Sequence, residues 1–231
     1  MIFDGYFFTF QHVEDELGII VGFGTKKANS VTALKRYLGV KEYEIVCVNQ
    51  VHGKDIYFAD ESGNSIFKND ADAIATDKSG LILCIFTADC LPVALLNKKD
   101  GIVAMIHCGW RGLRSGIIQN VIKSICERWR TDVKNFRAYL GPSIRGCCYC
   151  VGDDVYEQFP EGFARDISFK RNNNKWFFNI ASYTESILRA CDIMDIYDIG
   201  LCTICRSDLF NSRRFHGSGV LPQINFVLRI R

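Results

Sequence analysis

Runs and alternations of hydrophobic residues divide the chain into many strands and a few helices. Three continuous apolar runs, Leu81–Phe86, Val93–Leu96 and Ile102–Ile106, predict strands that are buried on both faces. Other segments, rich in aromatic and β-branched residues, predict further strands at Ile2–Phe10, Leu17–Phe23, Tyr43–Asn49, Ile56–Ala59, Phe136–Leu140 and Ile224–Leu228. The pattern therefore indicates a strand-rich protein with a deeply buried sheet.

Helical periodicity is clearest from Ser115 to Trp129, where apolar residues recur along one stripe. Ser30 is placed to cap a shorter helix that stops before Gly39. Shorter helices are predicted over Asp153–Phe159 and Ile180–Ala190, and the tract Asn172-Asn173-Asn174 predicts a turn between two strands. Because strands and helices interleave without a strict strand–helix–strand rhythm, we expect an α+β fold, with mixed β-sheets flanked by helices in one domain over residues 1–231.

Composition narrows the functional class. The 231 residues are 48% hydrophobic and 23% charged, which is typical of a globular domain. Lys plus Arg total 28 against 26 Asp plus Glu, a near-balance that argues against a protein dedicated to holding nucleic acid. No apolar run approaches the ~18 residues of a membrane helix, and the segment from Met1 to Gly18 is unlike a signal peptide. We expect a soluble, cytoplasmic protein without nucleic-acid or membrane partners, either a monomer or a weak dimer.

Cysteine is unusually frequent, with eleven scattered thiols. In a cytosolic protein most of them should be reduced and buried as small apolar side chains. Two C-x-x-C segments, Cys147–Cys150 and Cys202–Cys205, could together supply four thiolates to a structural zinc ion. A role in disulfide exchange is the other reading, although neither segment clearly opens a helix after a strand.

Three potential metal ligands each lie where a predicted apolar strand ends and a loop begins. His52 follows the strand Tyr43–Asn49, Cys90 follows Leu81–Phe86, and His107 follows Ile102–Ile106. Two imidazoles and one thiolate suit zinc, and three protein ligands leave a fourth position open, as in catalytic zinc sites. Such an ion lowers the pKa of its bound water towards ~7.

Three alternatives to a zinc site remain open from the residues alone. Each ligand taken singly is also explained as a hydrogen-bonded or buried structural residue. A copper site is the second alternative, with Met105 as a weak ligand, but the chain holds only four histidines (His12, His52, His107 and His216) and a multicopper cluster needs more. The third is a metal-free nucleophile, with the Cys90 thiolate activated by His107.

Charged residues near these loops suggest how a substrate is handled. Asp89, next to Cys90, could orient a ligand or carry a proton. Arg111, Arg213 and Arg214 offer planar guanidinium groups suited to phosphate, although a solvated basic loop is the commoner explanation of an arginine pair. The chain has neither a P-loop nor a dinucleotide-binding glycine motif, so a bound nucleoside triphosphate or dinucleotide has no support.

Several motifs together resemble one protein family. They are Asn49-Gln50-Val51-His52-Gly53, Asp70-Ala71-Asp72-Ala73, Thr87-Ala88-Asp89-Cys90-Leu91-Pro92-Val93, His107-Cys108-Gly109-Trp110-Arg111-Gly112, Gly141-Pro142-Ser143-Ile144 and Cys202-Thr203. In this order they are similar to the YfiH-type family, long called laccase-domain or multicopper polyphenol oxidase proteins and more recently purine nucleoside phosphorylases. The resemblance covers nearly the whole chain.

The resemblance implies a sandwich-like α/β domain that binds one metal ion, zinc or alternatively copper, through His52, Cys90 and His107. It further implies phosphorolysis of adenosine, inosine, guanosine and methylthioadenosine, with adenosine deamination attributed to the same site. Copper-dependent phenol oxidation is the older alternative. On this basis we expect Asp89 and Arg111 to be catalytic, and the following residues to bind substrate: Asn49, Arg213 and Arg214.

The chain also departs from the family pattern. Cys150 stands where the family's Tyr-Glu-Val-Gly motif has a glutamate, so one carboxylate is lost. The segment around Arg213 and Arg214 aligns ambiguously by one residue. The sequence leaves the roles of Cys108, Cys150 and Cys205 open, together with the preferred nucleoside.

Overall fold

A computed structural model of the chain describes residues 1–10, 13, 16–39, 43–60 and 66–230, and within them the strands form three sheets. His12 lies outside the described residues. The strands are β1 (Ile2–Phe3), β2 (Phe7–Thr9), β3 (Ile19–Gly24), β4 (Glu44–Asn49), β5 (Ile56–Phe58), β6 (Ile66–Asp70), β7 (Ala73–Thr76), β8 (Leu81–Thr87), β9 (Leu91–Asn97), β10 (Val103–Cys108), β11 (Phe136–Leu140), β12 (Cys150–Val151), β13 (Phe169–Asn172), β14 (Lys175–Phe178), β15 (Asp195–Asp198) and β16 (Gln223–Arg229). The α-helices are α1 (Val31–Leu38), α2 (Trp110–Arg114), α3 (Ile117–Trp129), α4 (Asp153–Tyr156), α5 (Phe163–Ser168), α6 (Ile180–Ala190) and α7 (Arg213–His216).

Two large mixed sheets form the centre of the fold. The first has seven strands in the order β1-β2-β3-β16-β8-β4-β6, and the second has six in the order β15-β11-β9-β10-β7-β5. Most neighbours are antiparallel, but β4 runs parallel to both β6 and β8, β5 runs parallel to β7, and β11 runs parallel to β15. A small third sheet, β12-β14-β13, lies outside these two. The predicted class, α+β with mixed sheets flanked by helices, is confirmed.

The large sheets pack face to face, and helices cover their outer faces. Alternate residues of β9 show this layering: Leu95 packs with the core beneath α3 and α6, whereas Leu96 packs with Val46 and Leu83 of the facing sheet. On the far side, Leu34 of α1 packs against the outer face of the seven-stranded sheet. The inner strands β8, β9 and β10 are therefore buried on both faces, as the continuous apolar runs predict.

Several predicted elements are confirmed with small shifts of boundary. Ser30 caps α1 by accepting a hydrogen bond from the backbone N–H of Ala33, and Gly39 ends the helix with a φ of 64°. The helix over Ile180–Ala190 is present as predicted. The asparagine tract forms the turn of the β13–β14 hairpin, with positive φ at Asn173 and Asn174.

Two predicted elements are corrected. The strand expected over Ile2–Phe10 is split into β1 and β2, because the Asp4 carboxylate accepts the backbone N–H groups of Tyr6 and Phe7 and turns the chain. The helix expected over Asp153–Phe159 is shorter, ending at Tyr156.

The hydrophobic pattern of the sequence does not predict several short elements that lack strong periodicity. These are β6, β7, β12, β15, α2, α5 and α7, each of six residues or fewer. Tertiary pairing rather than local preference stabilises elements of this length. Among the described residues, no helix combines the length and apolarity needed to span a membrane.

The packing of the core leaves no room for a side chain at Gly22. This residue lies directly opposite Phe226 in the β3–β16 pair, and a Cβ at position 22 would lie 2.1 Å from the Phe226 ring. Because that ring is fully buried and packs edge-on against Phe7, it has little room to move. We expect Gly22→Ala to lower the free energy of unfolding by about 1–3 kcal/mol in urea titrations. Gly219→Ala, where a Cβ meets open space, is the control and should change it by less than about 0.5 kcal/mol.

Candidate metal and substrate site

The candidate site is built where the chain crosses from one large sheet to the other. The β4–β5 crossing carries His52, the β6–β7 crossing carries Asp72, and the β8–β9 crossing carries Cys90. Because β4 is parallel to both β6 and β8, all three crossings leave the seven-stranded sheet at the same edge. His107 reaches this edge near the end of β10. Residues that are distant in sequence are therefore brought together by topology.

The three predicted ligands converge. The ligand atoms of His52, Cys90 and His107 all lie within 4.8 Å of one another, and the two imidazole rings are 4.8 Å apart between centroids. His107 is buried, Cys90 is partly buried and His52 is exposed. The trio is thus anchored in the core on the His107 side and open to solvent on the His52 side.

Asp72, which is fully buried, holds two of the ligands in place. Its carboxylate accepts the backbone N–H groups of Val51, His52 and Gly53 at 3.2, 3.0 and 2.6 Å. One of its oxygens also lies 2.7 Å from Nδ1 of His107. A carboxylate that orients a ligating imidazole in this way is a common outer partner in metal sites. The Asp70–Ala73 motif is visible in the sequence, but its local pattern assigns Asp72 no role.

The trio is strongly coupled electrostatically. Burial alone would raise the pKa of Cys90, but the neighbouring His107 and His52 lower it from 9.0 to about 6. Burial would lower the pKa of His107, yet Cys90 and Asp72 raise it from 6.5 to about 9. The pKa of Asp72 is lowered despite burial, because His107 and the loop amides stabilise its charge. Without metal, the site therefore holds a thiolate beside an imidazolium at neutral pH.

Gly109 leaves room for the trio. A Cβ at this position would lie 2.6 Å from Nδ1 of His52 and 3.4 Å from the Cys90 sulfur. Only glycine lets the backbone approach the ligands this closely. This close cradle, together with two nitrogen donors and one sulfur donor, fits a zinc or a copper ion.

Two cavities, of about 220 and 390 Å³, meet at the trio. Their linings share His52, Ala88, Cys90 and Arg213. The smaller cavity is further lined by Gln50, Phe86, Thr87, His107 and Pro222, and the larger by Asp89, Ile144, Tyr149, Ile180 and Arg214. An apolar wall with a few convergent polar groups is typical of small-molecule sites.

Arg213 and Arg214 form the basic side of these cavities. They belong to the short helix α7, which Ser212 caps. Arg214 donates a hydrogen bond to the backbone carbonyl of Cys150 at 2.8 Å and lies over the ring of Tyr149. Both arginines are exposed, as a phosphate-binding group at a cavity wall requires.

Asp89 is tied to the surrounding loops. It has a φ of 89°, which is strained for a residue other than glycine. One carboxylate oxygen accepts the Thr203 hydroxyl at 2.6 Å, and the other accepts the Ser212 hydroxyl and the Arg214 backbone N–H at 3.0 and 2.8 Å. The structure therefore brings Asp89 and the arginine pair together.

Two other expected site residues lie apart from the cavity linings described above. Arg111 is exposed and stacks over Trp110, 4.4 Å from its ring centroid. Asn49 is exposed and donates its amide to Asp70 at 2.7 Å. Its neighbour Gln50 reaches the smaller cavity instead, held there by two hydrogen bonds to the backbone of Phe86. Asn49 and Gln50 belong to the same sequence motif. Only the structure shows that the side chain of Gln50, and not that of Asn49, points into the cavity at the end of β4.

Several other thiols that the sequence leaves open have distinct surroundings. Cys108 is fully buried in the core beside α3, where burial raises its pKa well above the ordinary value, so it is an apolar filler. Elsewhere four sulfur atoms converge, and we call these residues the four-cysteine cluster: Cys147, Cys148, Cys202 and Cys205. Cys148, and not Cys150 as the C-x-x-C spacing suggests, completes this group.

Comparisons with known proteins agree with this architecture. The family described as multi-copper polyphenol oxidoreductase laccase matches residues 25–224. The chain is 33% identical over 180 residues to a purine nucleoside phosphorylase of Rickettsia conorii, covering 75% of this chain and 72% of that protein. It is 30% identical over 170 residues to purine nucleoside phosphorylase YfiH of Escherichia coli, covering 73% and 68%.

Solved structures share the fold. The hypothetical protein YfiH of Bacillus licheniformis aligns with a TM-score of 0.89 at 20% identity, over 97% of both chains. A Neisseria meningitidis protein aligns with a TM-score of 0.80 at 22% identity, over 97% of this chain and 99% of that one. With the family match over most of its length, the chain belongs to the laccase-domain family of YfiH-type proteins, whose motifs its sequence resembles.

Proposed function

We propose that the protein is a metal-dependent purine nucleoside phosphorylase. It would convert adenosine, inosine, guanosine or methylthioadenosine, with phosphate, into a free base and the corresponding ribose 1-phosphate. The observation that carries this proposal is that Arg213 lines both cavities that meet at the His52–Cys90–His107 trio. The names of the curated relatives support it.

The trio would hold the metal ion, and zinc suits its two nitrogen donors and one sulfur donor. When bound, the ion supplies Lewis-acid polarisation of an oxygen atom. Asp72 fixes His107 through Nδ1, which leaves Nε2 as the nitrogen that can bind the ion.

Phosphate would bind on the basic side, against the guanidinium groups of Arg213 and Arg214. In phosphorolysis a phosphate oxygen forms a bond to ribose C1′ while the bond from C1′ to the purine nitrogen breaks. The electron pair of that bond stays with the purine, which takes up the proton of HPO₄²⁻. Paired arginines would bind the phosphate dianion and orient one of its oxygens towards C1′, which favours the reaction.

The purine and ribose would lie along the apolar wall of Ile144, Tyr149 and Ile180 in the larger cavity. Asp89 would act as a positioning residue, because both of its oxygens already accept hydrogen bonds from the loops that carry Thr203, Ser212 and Arg214. Arg111, stacked on Trp110 outside the linings described above, is a weaker candidate for phosphate than the arginine pair.

The first test is product analysis of adenosine incubated with metal-assayed protein, with and without phosphate. We expect adenine and ribose 1-phosphate in the presence of phosphate only. Cys90→Ser is the matched control and should lose the metal ion of the trio and turnover while remaining folded. Inosine formed without phosphate would instead identify deamination as the main reaction, and a fully active Cys90→Ser variant would contradict the assignment of the site.

A second prediction concerns the phosphate subsite. Arg213→Gln removes one charge-assisted contact, worth about 1.5–3 kcal/mol, so the KM for phosphate should rise about 10- to 100-fold. The KM for adenosine should change much less. Arg206→Gln is the control, because Arg206 is exposed and pairs with Asp208 outside the described cavity linings. Equal effects of the two variants would rule out a phosphate role for Arg213.

One geometric observation favours a second candidate. Cys90, His107 and Asp72 form a thiolate–imidazole–carboxylate series, which is also the arrangement of cysteine hydrolases. In that case the Cys90 sulfur would bond to a carbonyl carbon and displace a leaving group, which would take a proton from His107. Water would then hydrolyse the thioester and free Cys90, and no metal would be needed. Copper-dependent phenol oxidation, which the family description suggests, has less support because the sequence holds only four histidines.

Alkylation of metal-free protein measures the reactivity of the Cys90 thiolate, on which the second candidate depends. The thiolate of Cys90 is favoured by His107, so its alkylation by iodoacetamide should fall as the pH drops through about 6. In His107→Gln the pKa of Cys90 should rise, which moves this midpoint to higher pH. Cys126, also half-buried but with a pKa raised by burial, should react only at alkaline pH. Peptide mass spectrometry measures both thiols.

Added zinc completes the comparison. For a metalloenzyme, zinc should block alkylation of Cys90 and restore turnover. Zinc that blocks alkylation and abolishes turnover would establish the cysteine nucleophile instead.

A further inference from the structure

A second group of metal-ligating side chains lies apart from the trio, in the four-cysteine cluster. Cys147 and Cys148 belong to the turn that follows β11, and Cys202 and Cys205 belong to the loop that follows β15. The four sulfurs lie within 4.8 Å of one another. The Cys205 sulfur is 3.6 Å from that of Cys147 and 3.5 Å from that of Cys148.

The backbone holds these two segments side by side. Ser143 and Cys202 form a parallel bridge, in which the Thr203 N–H donates to the Ser143 carbonyl at 3.1 Å. The turn itself is closed by the Cys148 N–H, which donates to the Arg145 carbonyl at 2.8 Å. The cluster is therefore formed by main-chain pairing and does not depend on a chance approach of flexible side chains.

The four-cysteine cluster has a buried side and an exposed side. Cys202 is buried, whereas Cys147 and Cys205 are exposed, so the cluster is anchored on one side and accessible to an ion on the other.

We propose that Cys147, Cys148, Cys202 and Cys205 bind a zinc ion of their own, separate from the ion at the trio. In a tetrahedral zinc site with Zn–S bonds of about 2.3 Å, the sulfurs are about 3.8 Å apart. The separations of 3.5 and 3.6 Å are close to this value. A disulfide needs sulfurs about 2.05 Å apart and would use only two of the four thiols.

Four protein ligands fill the coordination of zinc, so this ion would be structural. It would join segments 58 positions apart in the sequence, counted from Cys147 to Cys205. Those segments form part of the larger cavity: Tyr149 lines it, and Thr203 donates its hydroxyl to Asp89. The second ion would therefore fix the loops that surround the substrate site.

Zinc counting tests the proposal. We compare the zinc content per chain of the wild type with that of Cys147→Ser/Cys205→Ser by inductively coupled plasma mass spectrometry, after purification with a reductant. We expect the double variant to hold one zinc fewer. Cys150→Ser is the matched control: it removes a neighbouring thiol outside the cluster and should hold as much zinc as the wild type.

Two measurements on the wild type keep the proposal testable if the double variant fails to fold. Cys147 and Cys205 should resist alkylation by N-ethylmaleimide in zinc-loaded protein and react once a chelator removes the metal. Protein loaded with Co²⁺ should show the sulfur-to-cobalt charge-transfer bands of a tetrahedral tetrathiolate site.

Three results would overturn the proposal. One is equal zinc content in the wild type and a folded double variant. Another is free alkylation of Cys147 and Cys205 in zinc-loaded protein. The third is an intact mass showing that two of the four thiols have lost their hydrogens to a disulfide. Because the comparison concerns a difference of one ion, it is independent of the ion at the trio and of the proposed activity.

Discussion

The buried carboxylate of Asp72 connects the two parts of the structure that make the site. It accepts three backbone N–H groups from the His52 loop and lies in contact with His107. A carboxylate without solvent is costly unless it is hydrogen-bonded or paired, and here every available direction is used. The same interactions give the His52 loop its shape, including the positive φ of His52 itself. Fold stability and ligand geometry thus depend on one side chain.

The site also depends on how the two central sheets are connected. Three successive crossings leave the seven-stranded sheet at one edge, and each carries a residue of the site or its support: His52, Asp72 and Cys90. Strands buried on both faces hold the ends of these crossings rigidly. The loops are short, so the ligand positions follow from the sheets rather than from loop flexibility. The side chains of the candidate metal site are therefore brought together by the fold itself.

Loops on the other side of the cavities are held less by sheets and more by side-chain contacts. Asp89, strained at a positive φ, gathers the loops that carry Thr203, Ser212 and Arg214. Two members of the four-cysteine cluster, Cys202 and Cys205, belong to the same loop as Thr203. One side of the cavities is therefore fixed by the sheets, and the other side by hydrogen bonds between loops.

Local patterns in the sequence determined much of the fold and the ligand trio. Buried strands are visible as apolar runs, the cap of α1 as Ser30 before a helical period, and His52, Cys90 and His107 as polar residues at strand ends. Only the tertiary structure decided which residues support them. Asp72 supports the trio because the β6–β7 crossing brings its carboxylate next to His107. Cys148 rather than Cys150 lies close to Cys205, because the turn after β11 directs its side chain there. Such choices depend on contacts between segments far apart in sequence, and hydrophobic periodicity carries information only about near neighbours.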